Sequence, residues 1–429
     1  METNSPDVWS GSRRNRIGAC RICGERTLIP LLDLGEQALT GVFPLSPADP
    51  VSMGPLALCR CDSLASANAC GLVQLENSFD GAEMYGDGYG YRSSLNRSMV
   101  DHLRAKAQQL SAIVPLSPGD VVLDIGSNDG TSLSFYPPFA TRIGIDPVSA
   151  KFLSRYEDGI IAVPDFFTAE AFRARVGDKK AKIVTSIAMF YDLDDPKIFV
   201  EDVADILDED GIWHLEQSYL PSMMAANAYD TICHEHAEYY TLRQIEWLCA
   251  RYGLRVIDVS TNLINGGSFA VTICRAGSSL RSNTPVVDEF RARERALGLD
   301  SPVPYEHFAS RVERHRADLV RTVNALTSAG KRVLGYGAST KGNVLLQYCG
   351  FSAAQIPAIA DVNPDKYGHV TPGTHIPIVS EDDARIMRPD YFLVLPWHFR
   401  ENIVGREAAF LSGGGKLLFP LPEISIVER

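Results

Sequence analysis

The stretch VLDIGSNDGT, positions 122 to 131, constrains this chain more than any other. The apolar run Val121, Val122 and Leu123 predicts a buried strand that breaks into a glycine turn carrying acidic groups, and Ile143 and Ile145 lead a second strand to Asp146. That spacing predicts a βαβ opening. Glycine lets the backbone approach a ligand closely, and an acid ending the second strand, about 20 residues on, is where a ribose diol donates two hydrogen bonds. The full G-x-G-x-x-G fingerprint is missing, as is a lysine like that of a P-loop, so a pyrophosphate has little to hold it. A cofactor with ribose and adenine but no phosphate fits better. S-adenosylmethionine is such a molecule, and Asp124 with the turn amides would hold its zwitterionic amino-acid end. The plainer alternative, an ordinary strand–turn–helix corner, leaves the second acid without a packing reason.

A chain of 429 residues, 45% hydrophobic and 22% charged, is large enough for two or three domains. Its net charge of −12 argues against nucleic acid or an anionic membrane as the main partner, because phosphate contacts need a basic face. A local basic pocket for a small phosphate ester is compatible with that charge. No apolar run approaches the roughly 18 residues of a membrane span, and METNSPDVWSGSRRNRIG has no apolar signal core, so the expected location is cytoplasmic. Oligomeric state is not legible.

Five of the nine cysteines fall between positions 20 and 70. In a cytosolic chain a disulfide framework is not expected. Cys20 and Cys23 form a C-x-x-C knuckle, and Cys61 with Cys70 would complete a structural four-thiolate zinc site with no open position for substrate. Cys59, flanked by Leu56 and Leu58, reads as a strand residue, although it and Cys61 could exchange roles. Buried thiols without metal are the alternative.

Four sections separate by pattern, together predicting an α/β chain: a cysteine module (18–76), a βα-alternating domain (77–280), a charged helical connector (281–329) and a second Rossmann-like domain (330–429). GLVQLEN, 71 to 77, reads as the last strand of the module. Tyr85, Tyr89 and Tyr91 precede a helix entered through Ser93 or Ser94. The second domain ends in an antiparallel strand pair, RVIDVS and SFAVTICR. In the last, KRVLGYGASTKGNVLLQYCG is again strand, glycine turn and helix, with Asp361 after the next strand. Here Ser339, Thr340 and Lys341 supply donors for a phosphate, though the lysine could equally be a solvated helix start. Trp397, His398 and Arg400 lie at a strand end, where open sheets bind ligands.

The segment YDTICHEHAEYY, 229 to 240, follows the strand GIWHLEQSY on the same sheet edge as the cofactor turn. It is not H-E-x-x-H, because histidines two residues apart cannot share a helix face. A histidine beside carboxylates and phenols suits proton abstraction next to a carbonyl, which needs a base and donors for the enolate. A polar surface loop is the alternative.

The ordered blocks CRICG, LDLGEQ, CGLVQL, the Y-x-Y-x-S-S linker, DIGSNDGT, DEDGIWHLEQSYLP, ICHEHAEYY, NGGSFAV and GYGASTKGN resemble the sugar C-methyltransferases of nucleotide-deoxysugar pathways over nearly the full length. The resemblance implies zinc in the N-terminal module, a class I S-adenosylmethionine-dependent methyltransferase domain, and a C-terminal Rossmann-like domain that helps hold a nucleotide-sugar. The implied reaction is methylation at carbon 3 of a nucleoside-diphosphate 4-keto-6-deoxy sugar, through an enolate.

Residue by residue, the resemblance implies His236 as the base. Glu235 would orient it or contact the sugar, and Tyr91 would close over cofactor and substrate. Asp124, Gly126, Asn128, Asp129 and Asp146 match the cofactor turn, with Asp165 and Phe166 at the adenine. Candidate substrate contacts are His234, Asn265, Gly267, Tyr336, Ser339, Lys341, Asn343 and His398. The chain departs from the best-known members in having Cys233 for a tyrosine, and Phe190 followed by Tyr191 where they have a histidine. Tyr191 would then replace a lost donor and Cys233 would shuttle a proton. Two other outcomes stay open: epimerisation of a keto-sugar nucleotide through the same enolate without methyl transfer, and a non-catalytic module that only holds ligands.

Overall fold

The computed structural model of the chain describes residues 15–79, 81–84 and 91–429. Tyr85 and Tyr89 lie outside the described residues, as does the side chain of Asn265.

The strand Val121–Ile125 is buried at every position. That is the signature of a parallel strand covered on both faces. It sits inside a seven-stranded sheet running Leu254–Asn262, Ser268–Arg275, Leu207–Ser218, Ala181–Ile187, Val121–Ile125, Thr141–Ile145, Ile160–Val163. The last five are mutually parallel, and Ser268–Arg275 pairs antiparallel to both of its neighbours. The chain reverses its direction of winding between Val121–Ile125 and Ala181–Ile187, and a crevice opens at the carboxyl ends of strands at such a point.

A six-stranded sheet forms the C-terminal part, in the order Ile378–Ser380, Ile359–Asp361, Val333–Tyr336, Tyr391–Val394, Lys416–Phe419, Ser425–Val427. Only its last strand is antiparallel. The helices Thr284–Ala296 and Val303–Ser328 connect the two sheets. The mixed α/β architecture, with two Rossmann-like sheets and a cysteine module, is the one expected.

The N-terminal module supplies Leu28–Ala38, Met53–Cys61 and Val73–Leu75 to a four-stranded sheet. The fourth strand is Glu238–Tyr239, from the histidine-rich segment more than a hundred residues later in the chain. Leu34, Leu39, Leu58 and Leu75 of the module share one apolar cluster with Tyr229, Cys233 and Tyr239 and with Val333, Leu346 and Leu393 of the C-terminal part. Cys20, Ile22, Cys70 and Leu72 instead join the core of the seven-stranded sheet. The module is thus a wedge whose two faces belong to different cores. Among the described residues no helix is long and apolar enough to cross a membrane.

Candidate active site

The glycine turn after Val121–Ile125 opens onto a cavity of about 350 Å³. Gly126 takes φ +74°, and a Cβ there would stand 2.9 Å from Met189 Cγ, so both conformation and space call for glycine. Asp146 receives the Asn128 amide at 2.7 Å and the Val148 amide at 2.8 Å. These bonds lock the acid at the turn and leave a lone pair on each oxygen for a diol. Asp124 accepts from the Thr185 hydroxyl at 2.5 Å, and burial pushes its carboxyl up to about 7.

Tyr91, Asp124, Gly126, Asn128, Asp146 and Phe166 all line the cavity, and Phe167 and Thr168 extend the wall beside Phe166. Asp129 and Asp165 are not among the lining residues. Asp165 is exposed and caps its neighbour, accepting the Phe166 amide at 2.8 Å. Asp129 accepts the Ser94 amide at 3.0 Å, while Asn128 accepts the Ser93 amide at 3.0 Å and donates to the Tyr91 carbonyl. The turn therefore uses these two side chains to hold the 91–94 linker over the cavity. Ser93 and Ser94 do not start the helix; Arg97–Ile113 begins after Asn96, whose side chain caps it.

Sequence reasoning missed Glu216, which also lines the cavity. His102 and Lys106, one turn apart on Arg97–Ile113, reach its two oxygens at 2.6 and 2.9 Å. Burial alone would raise this carboxyl, but the His102 hydrogen bond and the Lys106 charge outweigh it and hold it at about 2. The i, i+4 spacing of His102 and Lys106 was the available signal.

Beside the cavity lies the histidine-rich segment. Asp192 lines the cavity, and the adjacent Tyr191 ring packs on His236 with centroids 4.2 Å apart. His236 Nδ1–H donates to the Thr231 carbonyl at 2.7 Å, which leaves Nε2 with a free lone pair. Burial, then the Lys341 charge, holds its pKa down to about 3, so the ring is neutral. Orientation of His236 comes from Thr231 and not from Glu235. Glu235 is buried and turns to the module: it accepts the Thr40 hydroxyl at 3.2 Å and also bonds the Gly41 amide and the Cys233 thiol. A Cβ at Gly41 would collide with that carboxylate. Burial, with Glu235 and Asp192 nearby, pushes the Cys233 thiol far up, so it stays protonated.

His234 is not brought to this group. Its Nε2–H donates to the Gly54 carbonyl at 3.2 Å, and its ring stands edge-on to Phe79 inside the module. Tyr336 likewise turns into the C-terminal core, donating to Glu407 at 3.0 Å against Phe392. Gly267, at φ +122°, is a turn residue pressed against Ser222. Asn343 donates to the Thr40 carbonyl at 2.7 Å, and Ser339 caps the helix Thr340–Cys349. Lys341 does reach the segment, close enough for its charge to act on Asp230, His236 and His398. Asp230 is buried and accepts the Trp397 indole N–H at 2.8 Å.

In the module, the Sγ atoms of Cys20, Cys23, Cys61 and Cys70 lie within 4.8 Å of one another, with 3.5 Å for the pairs Cys20–Cys70 and Cys23–Cys61. Four bonds of about 2.3 Å to a tetrahedral zinc put sulfurs about 3.8 Å apart, so the donor set fits that ion with a small adjustment. Cys59 is buried outside the cluster, which settles its exchange with Cys61.

Three family descriptions match successive parts of the chain: a zinc binding domain over residues 20–85, a methyltransferase domain over 95–259 and a C-methyltransferase C-terminal domain over 263–422. The chain is 32% identical to C-methyltransferase NovU of Streptomyces niveus across 419 residues, 96% of this chain and 97% of that protein. The chain belongs to the C-methyltransferase family. The resemblance read from the ordered motifs therefore holds, with S-adenosylmethionine as methyl donor and zinc in the module. Among solved structures, the plantazolicin methyltransferase BpumL with S-adenosylhomocysteine (SAH) aligns at TM-score 0.34 and 11% identity, over 42% of this chain and 86% of that one. LepI with S-adenosylmethionine (SAM) aligns at TM-score 0.33 and 15% identity, over 43% and 54%. Likeness at that level adds no argument to the full-length relationship.

Proposed function

We propose that this C-methyltransferase acts on a nucleoside-diphosphate 4-keto-6-deoxy sugar, methylating carbon 3 through an enolate. The observation that carries the reading is the tautomer of His236: Nδ1–H is committed to Thr231, Nε2 is a neutral base, and Tyr191 and Asp192 join it to the cavity wall. S-adenosylmethionine, when bound, supplies an electrophilic methyl group. His236 Nε2 would take the carbon-3 proton, and the electron pair would move onto the 4-keto oxygen. Tyr191 is the donor offered to that oxygen, since the Cys233 thiol is engaged with Glu235. Ser339, Lys341 and the first amides of Thr340–Cys349 would hold the pyrophosphate, with His398 beside them.

The test incubates the protein with methyl-labelled donor and a panel of 4-keto-6-deoxy sugar nucleotides in heavy water, and reads product mass. One methyl per sugar, with loss of about 10²- to 10⁴-fold in kcat for His236→Ala, is expected. Deuterium at carbon 3 without methyl gain would replace methylation by epimerisation. No reaction with any member of the panel would overturn the substrate assignment.

A further inference from the structure

Arg21 lies in the metal knuckle, between Cys20 and Cys23, and its side chain leaves the metal for the histidine-rich segment. The guanidinium donates to the Leu75 carbonyl at 2.8 Å, the Asn77 carbonyl at 3.1 Å and the Ser78 hydroxyl at 3.0 Å. The Arg21 amide donates to Gln74 Oε1 at 3.1 Å. Nη1 also donates to Gln74 Oε1 at 3.5 Å, and Nε, the remaining donor, faces Glu238 Oε1 at 3.7 Å, with the two side chains 3% and 0% exposed. Glu238 is two residues beyond His236.

The backbone geometry makes this pair consequential. Glu238–Tyr239 is a strand of only two residues, paired antiparallel to Gln74 and Val73, with one further bond from the Leu75 amide to the Ala237 carbonyl. A slip of one residue would turn every side chain of so short a strand to the opposite face. Arg21 grips Gln74 and Leu75 on one side of that ladder and faces Glu238 on the other. Burial raises the Glu238 carboxyl well above its ordinary range and the Arg21 charge only partly offsets this, so the two make a close buried polar contact and not a strong ion pair; the best-attested use of a buried polar pair is to fix register.

We propose that Arg21 and Glu238 are positioning residues: a clamp through which the four-thiolate knuckle sets the register of the short strand that follows His236. The clamp gives the zinc module a role in catalysis beyond holding itself folded. Its catalytic half rests on His236 being the base; its structural half does not.

Amide hydrogen exchange of the full chain, read by mass spectrometry over 231–240, tests the structural half without substrate. Arg21→Ala and Glu238→Gln are each expected to speed exchange there about tenfold or more while zinc stays at one per chain, with Arg21→Lys in between. Unchanged exchange in Glu238→Gln, or loss of its zinc, overturns the clamp; if Arg21→Ala does not fold, the near-isosteric Glu238→Gln decides alone. For the catalytic half, the sugar nucleotide that turns over in the panel is deuterated at carbon 3. The isotope effect on kcat should grow by about twofold or more in Glu238→Gln, a change that a smaller active fraction cannot produce. An unchanged isotope effect overturns the positioning role. A panel that yields no turnover removes the substrate reading and leaves the exchange result to judge the clamp.

Discussion

Two side chains show how burial tunes the chemistry here. His236 is neutral across the useful pH range because burial and Lys341 both oppose its charge; the same two effects lower the basicity of this proposed base. Asp124 is shifted the other way, to about 7. With Asp124 as the proposed contact of the cationic cofactor, its carboxylate form binds, so affinity should rise with pH through that value. Titration calorimetry is expected to find S-adenosylmethionine bound about tenfold more weakly at pH 6 than at pH 8. Asp124→Asn should abolish this dependence; a variant that keeps the slope would place the titrating group elsewhere.

At the scale of elements, the cofactor turn has a second task. Asn128 sits at φ +50°, a conformation that asparagine tolerates better than most residues, and its side chain ties down both Ser93 and Tyr91. Asn128→Ala loses the tether and strains the backbone. Thermal unfolding should show a loss of about 1–3 kcal/mol, and the KM for S-adenosylmethionine should rise. Asp129→Ala removes the bonds from the Ser94 amide and from the Thr131 hydroxyl and amide but involves no left-handed residue, so its KM should rise with a smaller stability loss. Equal effects in the two variants would argue that the tether, and not the left-handed backbone, dominates.

Across the whole molecule the module adds to the direct contacts between the two sheets, such as the Trp397–Asp230 hydrogen bond. Thr40 and Gly41 seat Glu235, the Thr40 carbonyl receives Asn343, and Gln347 exchanges two hydrogen bonds with the backbone of Ala38. The module therefore contributes directly to the arrangement of the site. Metal analysis of the purified chain should give one zinc, and Cys70→Ser should lose it together with several kcal/mol of stability and nearly all activity. A Cys70→Ser protein with wild-type melting and turnover would show the thiolates to be dispensable.

The metal ligands and the cofactor turn were legible because each rests on local spacing: a C-x-x-C knuckle, and a glycine turn followed at strand distance by an acid. Chain neighbours fix the knuckle and the turn, and the composition of the module left few candidates for the two distant ligands Cys61 and Cys70. His234 and His236 illustrate what spacing cannot decide, since both belong to one short crowded segment and their sequence context is nearly the same. Pairing of Glu238–Tyr239 with Val73–Leu75 settles where the segment lies, and the two histidines end in different surroundings, one against Phe79 and the other against Tyr191. Glu216 stayed hidden for a related reason: its partners His102 and Lys106 lie on a helix more than a hundred residues earlier. The sequence by itself determined the elements, the metal ligands and the class of cofactor, because periodicity and short-range motifs encode them. Only the tertiary structure decided which of the two histidines meets Tyr191 beside the cavity, because the strand that follows them is completed by another part of the chain.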